Sequence, residues 1–134
     1  MAIRRLSKSD APMSFGVFRP IGHVVVAFQS DAIAAEAAAL LRAQGFDAED
    51  VLQYSADEEG SLMSTMLDHT SGVAGFGYEV TLMRRYQELA HEGCGWLVVY
   101  APDDDHAQRV AAVAQRFGAR LAERYHRLLI EDLI

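Results

Sequence analysis

The sequence predicts an α+β fold, and three observations carry that prediction. Two β-branched runs, GHVVVAFQSD at Gly22–Asp31 and GWLVVYAPDD at Gly95–Asp104, each read as a buried strand that enters a helix cap. Each is followed by an amphipathic, helix-forming segment closed by a glycine, Gly45 and Gly118. The two halves also superimpose. At an offset of 72 (98 − 26), Val26 meets Val98, Phe28 meets Tyr100, Asp31 meets Asp103, Ala38 meets Val110 and Leu41 meets Val113; at 73 (118 − 45), Gly45 meets Gly118. Two β-α-β units related in this way make a ferredoxin-like, split β-α-β sandwich. Its first and third strands, here the two most apolar ones, are expected to be central and parallel. Residues 55–92 then form a helical insertion between strands 2 and 3.

Taken in order, residues 1–20 are broken by Pro12, Gly16 and Pro20. They read as a mobile arm that docks through Phe15, Val17 and Phe18 or adds them as a short extra strand. Residues 21–134 form a single domain. Val24–Phe28 is the first central strand, and Ser30 or Asp31 caps the helix from about Ala32 to Gln44. Ile33, Ala37, Leu40 and Leu41 share one face of that helix. A weaker strand follows at Asp50–Tyr54. Ser55-Ala56-Asp57-Glu58 matches a capping box. It opens a helix to about His69, with Leu62, Met63, Met66 and Leu67 on one side. Gly72, Gly75 and Gly77 in TSGVAGFG read as a hinge or a close helix crossing. A second helix, Tyr78–His91, gathers Leu82, Met83, Tyr86, Leu89 and Ala90 on one face and Arg84, Arg85 and Glu88 on the other. After the strand Trp96–Tyr100, Asp103 caps a helix with Val110, Val113, Ala114 and Phe117 on its apolar face. The tail fits either a helix or a strand. Matching the two halves favours a break at Gly118 and a strand near Tyr125–Glu131.

The bulk composition excludes several functions. A chain of 134 residues, 51% hydrophobic and 23% charged, suits one ordinary globular domain. Its net charge of −7 opposes binding to nucleic-acid phosphates and to anionic membranes. The apolar runs are too short to cross a bilayer. No apolar segment follows Arg4, Arg5 and Lys8, so a signal peptide is not expected and the expected location is the cytoplasm. Cys94 is the single cysteine, which forbids an internal disulfide framework.

Val24–Gly45, the glycines 72, 75 and 77, and Trp96–Gly118 together resemble the small bacterial general-stress proteins of the YflT type. The middle segment departs from that family: it is charged and carries methionines where a longer Gly- and Ala-rich hairpin is usual. The resemblance implies a ferredoxin-like protein with a stress-associated role and implies no catalytic residues.

Each candidate for chemistry has a plain structural reading beside it. Asp103-Asp104-Asp105-His106 has ligand types for a divalent cation, but carboxylates also serve a helix N-terminus. Cys94 lacks an evident base. His23, His69, His91, His106 and His126 show no zinc spacing. GVAGFG follows a helix and has no lysine, so it does not read as a phosphate loop. No catalytic residue, metal or cofactor is therefore expected. Arg84, Arg85 and Arg109 either clamp an anion or form a solvated face. Met63, Met66 and Met83, with Tyr78 and Tyr86, form an adaptable apolar group that lies over the sheet or against a second subunit, or that is simply the helix pair's core.

Trp96, Val98 and Tyr100 alternate with Leu97 and Val99, so both sheet faces are apolar. The leading expectation follows: the insertion and a two-fold-related partner cover the second face, giving a homodimer with a non-catalytic binding or regulatory role. The alternative is a small-molecule-binding protein or enzyme whose cleft, between sheet and insertion, is lined by His69, Tyr78, Met83, Arg84 and Tyr86.

Overall fold

The computed structural model describes residues 13–14, 17–18, 20–70, 77–127 and 129–134; the side chains of 13–14, 17–18, 68–70 and 77–79 lie outside that description. Its elements in chain order are β1 (Met13–Ser14), β2 (Val17–Phe18), β3 (His23–Phe28), α1 (Asp31–Ala43), a short 3-10 turn (Ala48–Asp50), β4 (Val51–Tyr54), α2 (Ala56–Thr70), α3 (Gly77–His91), β5 (Gly95–Tyr100), α4 (Asp104–Arg116), β6 (Leu121–Tyr125) and β7 (Ile130–Asp132). Most of the proposed arm, including Phe15, and the glycines 72 and 75 of the proposed hinge lie outside the described residues. Val17–Phe18 does form a short strand, paired with Met13–Ser14 and lying beside α2 and α3.

Five strands form one sheet in the order β4-β5-β3-β6-β7. The two valine-rich runs, β3 and β5, are neighbours inside it, with Val25 opposite Val98. They run antiparallel, which corrects the expected parallel pairing. Every neighbouring pair in this sheet is antiparallel. The physical reason is that a helix returns the chain within each unit, so it is β3 and β4 that share a direction, as do β5 and β6. One strand of the other unit fills each gap, running the opposite way.

The tail is strand, but not where expected. It turns at Gly118, whose φ of +65° is a left-handed value that suits glycine, and β6 begins at once at Leu121. Leu121, Glu123 and Tyr125 take one face of β6, with Ala122 and Arg124 on the other. A separate strand, β7, then pairs back on β6, with Tyr125 opposite Ile130.

The duplication is real in the element bounds but steps by one residue. β3 and β5 start 72 apart (95 − 23), whereas α1 and α4 start 73 apart (104 − 31). The helix pairings read at 72 therefore move by one: Ala34, Ala37 and Leu41 correspond to Ala107, Val110 and Ala114, all six buried. Ser30 accepts from the Ile33 N–H at 3.2 Å, and Asp103 from the His106 N–H at 2.9 Å, so the helix caps correspond at 73 as well. The Ser55–Glu58 capping box forms in both directions, at 2.9 and 3.1 Å.

Helices cover both faces of the sheet. α1 and α4 pack on Val24, Val26, Phe28, Leu97 and Val99. On the other face Val25, Ala27, Trp96, Val98 and Tyr125 meet Met63, Met66, Leu82, Met83, Tyr86 and Leu89 of α2 and α3. The apolar face that suggested a second subunit thus finds its cover inside the chain. Gly95 sits where β5 passes the start of α1: a Cβ there would lie 2.6 Å from both Asp31 Cα and the Ser30 carbonyl.

Candidate functional site

Among the described residues, the seam between the sheet and the α2–α3 pair is mostly apolar and holds a group of buried polar side chains. Glu59 is on the buried side of α2, in line with Met63 and Met66 at i+4 and i+7. It is 1% exposed, and neither carboxylate oxygen has a hydrogen-bond partner among the described residues. Tyr86, buried on α3, shares a hydroxyl–hydroxyl hydrogen bond of 2.8 Å with Tyr125 of β6. The Tyr86 ring also meets the Trp96 ring edge-on, centroids 5.2 Å apart. Trp96 Nε1 is buried and has no acceptor among the described residues, and Oε2 of Glu123, two residues before Tyr125, is buried with no hydrogen-bond partner among them.

The electrostatics follow from this placement. Burial, with Glu58 adding repulsion, pushes the Glu59 carboxyl up to about 8. Burial, then Asp132 directly across the β6–β7 ladder, pushes Glu123 up to about 7. Tyr86 is pushed well above the usual phenol value by burial first, then by Tyr125, Glu123 and Glu59. Acidic neighbours raise all three groups: Glu58 beside Glu59, Asp132 beside Glu123, and Tyr125, Glu123 and Glu59 around Tyr86. His23, on the same sheet face as Val25, is held below its ordinary value by burial, against a 3.1 Å contact from Nδ1 to the Ile21 carbonyl. That carbonyl only accepts, so Nδ1 carries a proton.

The residues expected to line a cleft divide between two environments. Met83 and Tyr86 are buried in the seam, while Arg84 is exposed on the far side of α3. His69 and Tyr78 belong to α2 and α3, but their side chains fall outside the described residues. Met63, Met66, Met83 and Tyr86 come together over the sheet in one apolar cluster.

Of this group only Tyr86 was an expected lining residue; Trp96 and Tyr125 were read as strand residues alone, and the two acids were missed although signals existed. Glu59 extends the stripe of Met63 and Met66 by one turn, so a charged residue there stands on an apolar face. Glu123 alternates with Leu121 and Tyr125, a pattern hidden by placing the last strand too late.

The other candidates have local explanations. Asp103 accepts from both the backbone N–H and the Nδ1 of His106, Asp105 pairs with Arg109 at 3.1 Å, and Asp104 pairs with Arg124 at 2.7 Å. The acidic run therefore serves the start of α4 and ties it to β6. Arg85 faces Glu88 at 3.7 Å, both exposed. Cys94 is buried, and burial raises its thiol despite Arg120 nearby, which opposes the thiolate a nucleophile needs. A polar groove of about 840 Å³ runs between α2 and the end of α3, lined by Ala56, Gly60, Ser61, Ser64 and Ala90 among others. Across the two helices, Gln87 Nε2 donates to Ser64 Oγ at 2.8 Å.

No family model, curated protein or solved structure matches the chain. Among the described residues, no helix is long and apolar enough to cross a membrane.

Proposed function

We propose that this protein is a non-catalytic, small-molecule-binding module whose site is the polar group in the seam: Glu59, Tyr86, Trp96, Glu123 and Tyr125. One observation carries the reading: Glu59 is almost fully enclosed, yet neither of its oxygens has a partner among the described residues. A buried polar group left unmatched costs about 1–3 kcal/mol. Perturbed acids that cluster with other polar groups mark functional sites more often than plain core does. The tyrosine pair and the indole N–H supply the directional contacts that orient a ligand in an otherwise apolar site.

The fold reading that accompanies this is the ferredoxin-like split β-α-β sandwich, with β7 and the α2–α3 pair as additions. The interleaved strand order supports it. A stress-associated role rests on the resemblance to the YflT-type proteins. Self-association, in this reading, uses a sheet edge, β4 or β7, because α2 and α3 occupy the face. The test of the binding function is a thermal-shift screen of small molecules on the wild type and on Glu59→Leu, with native mass spectrometry of both. Compounds that stabilise the wild type and leave the variant unmoved are expected. Equal responses from both proteins would remove the seam from the function.

A further inference from the structure

We infer that the α2–α3 pair is a lid on the sheet, hinged where β4 ends and β5 begins and released when the Glu59 carboxyl beneath it ionises. The opening is a property of the fold and does not depend on what the seam binds. The hinge follows from the strand register. The two helices are inserted between β4 and β5, which are neighbours in the sheet. Tyr54, the last residue of β4, lies opposite Trp96, the second residue of β5. The chain therefore leaves the sheet and returns to it at adjacent points, and the pair swings outward without breaking a strand ladder. Both hinge points are fastened: the Ala56 N–H donates to Asp31 Oδ1 at 3.1 Å, and Glu92 pairs with Arg120 at 3.1 Å. The rest of the fold keeps a core of its own, because α1 and α4 pack on the opposite face of the sheet.

The release lies close to the hinge. Glu59 is the fourth residue of α2, is 1% exposed, and has no hydrogen-bond partner for either oxygen among the described residues. An ionised carboxylate in that position is costly, and lifting α2 returns it to water. The titratable groups on the elements around it are Glu58 on α2, Tyr86 and His91 on α3, Tyr54 on β4, and Glu123 and Tyr125 on β6. Val17 and Phe18 of β2, which lies beside both helices, carry no charge, and neither do Trp96 and Val98 of β5. Glu58 repels the Glu59 carboxylate, so the nearest charge favours opening as well. In the closed form burial holds the proton on Glu59 up to about 8, whereas an open form exposes a carboxyl that ionises near 4.5. The closed form binds the extra proton between those values, so opening rises by about tenfold per pH unit and levels off above pH 8.

Native-state hydrogen exchange of the full-length protein at pH 6, 7 and 8, corrected for intrinsic exchange rates, tests both parts. Amides of α2 and α3 are expected to exchange together, through an opening at least tenfold more frequent than the global unfolding that releases β3 and α1. Their protection is expected to fall by about fivefold between pH 7 and 8, a window above the value of about 7 to which Glu123 is raised. That fall is expected to vanish in Glu59→Gln. Glu59→Leu, which leaves no amide to bury, is expected to behave alike and keeps the test decisive where Glu59→Gln folds poorly. Amides of α2 and α3 as protected as those of β3 and α1 would overturn the lid, because the pair would then part from the sheet only when the whole chain unfolds. Early exchange of the pair that ignores pH, or that keeps its pH dependence in both variants, would overturn Glu59 as the release.

Discussion

Glu59→Gln converts the buried carboxyl into a neutral amide of nearly the same shape, and the structure sets the size of the effect. In the unfolded chain the carboxyl ionises near 4.5; in the folded chain it holds its proton up to about 8. Between those values the folded state binds more protons than the unfolded state, so stability falls as pH rises. The full contribution is present below about 4.5 and is lost progressively up to about 8. Each pH unit in that window is worth about 1.4 kcal/mol, which makes the loss on the order of 3 kcal/mol by pH 7. Against a total stability of about 5–15 kcal/mol that is readily measured. Urea unfolding at pH 5, 6, 7 and 8 is the assay, with the denaturant slope checked for constancy. The wild type is expected to lose stability steadily across the series, and Glu59→Gln to lose several kcal/mol less. Glu123 titrates in the same window, so Glu59→Gln/Glu123→Gln is expected to be flatter still. Parallel curves for the wild type and Glu59→Gln would refute the reasoning, because they would mean that the carboxyl has found a charge-stabilising partner and is ionised throughout.

Further expectations concern the parts that build the seam. Gly95→Ala forces a methyl against the backbone of Ser30 and Asp31 and should cost about 2–3 kcal/mol in urea unfolding. Ser30→Ala and Asp103→Ala should each cost about 1 kcal/mol through the lost caps of α1 and α4. Tyr86→Phe and Tyr125→Phe should each cost about 1 kcal/mol, and the double variant less than their sum, since either change alone already removes the shared hydroxyl contact.

Much of the architecture was legible because it rests on periodicity and caps. The runs at Val24–Phe28 and Trp96–Tyr100 were bound to be central strands, being apolar on both faces. Ser30, Asp103 and the Ser55–Glu58 box marked helix starts through chemistry that needs no tertiary context. The direction of β5 relative to β3 was not legible, since a strand's residues carry no sign of which way its neighbour runs. The start of β6 was missed because Glu123 and Arg124 look like surface residues; tertiary packing buries the first and ties the second to α4. Of the cleft residues, Met83 and Tyr86 were readable from the helical stripe. Arg84 was readable from the same stripe, which put it with Arg85 and Glu88 on the other face of the helix; grouping it with Met83 and Tyr86 in one cleft went against that periodicity. Glu59 was the most informative residue and the easiest to overlook, because an acid in a first helical turn already has an ordinary explanation in the helix dipole.

The central claim is that Glu59 is kept beneath α2 for what it binds and not for what it contributes to folding. The unfolding free energy of Glu59→Leu at pH 7 tests this most directly. An apolar side chain of similar size removes an unmatched carboxyl from the interior, and the account predicts a protein more stable than the wild type. A variant destabilised by 2 kcal/mol or more would show a carboxyl already satisfied by its own fold, and would contradict it.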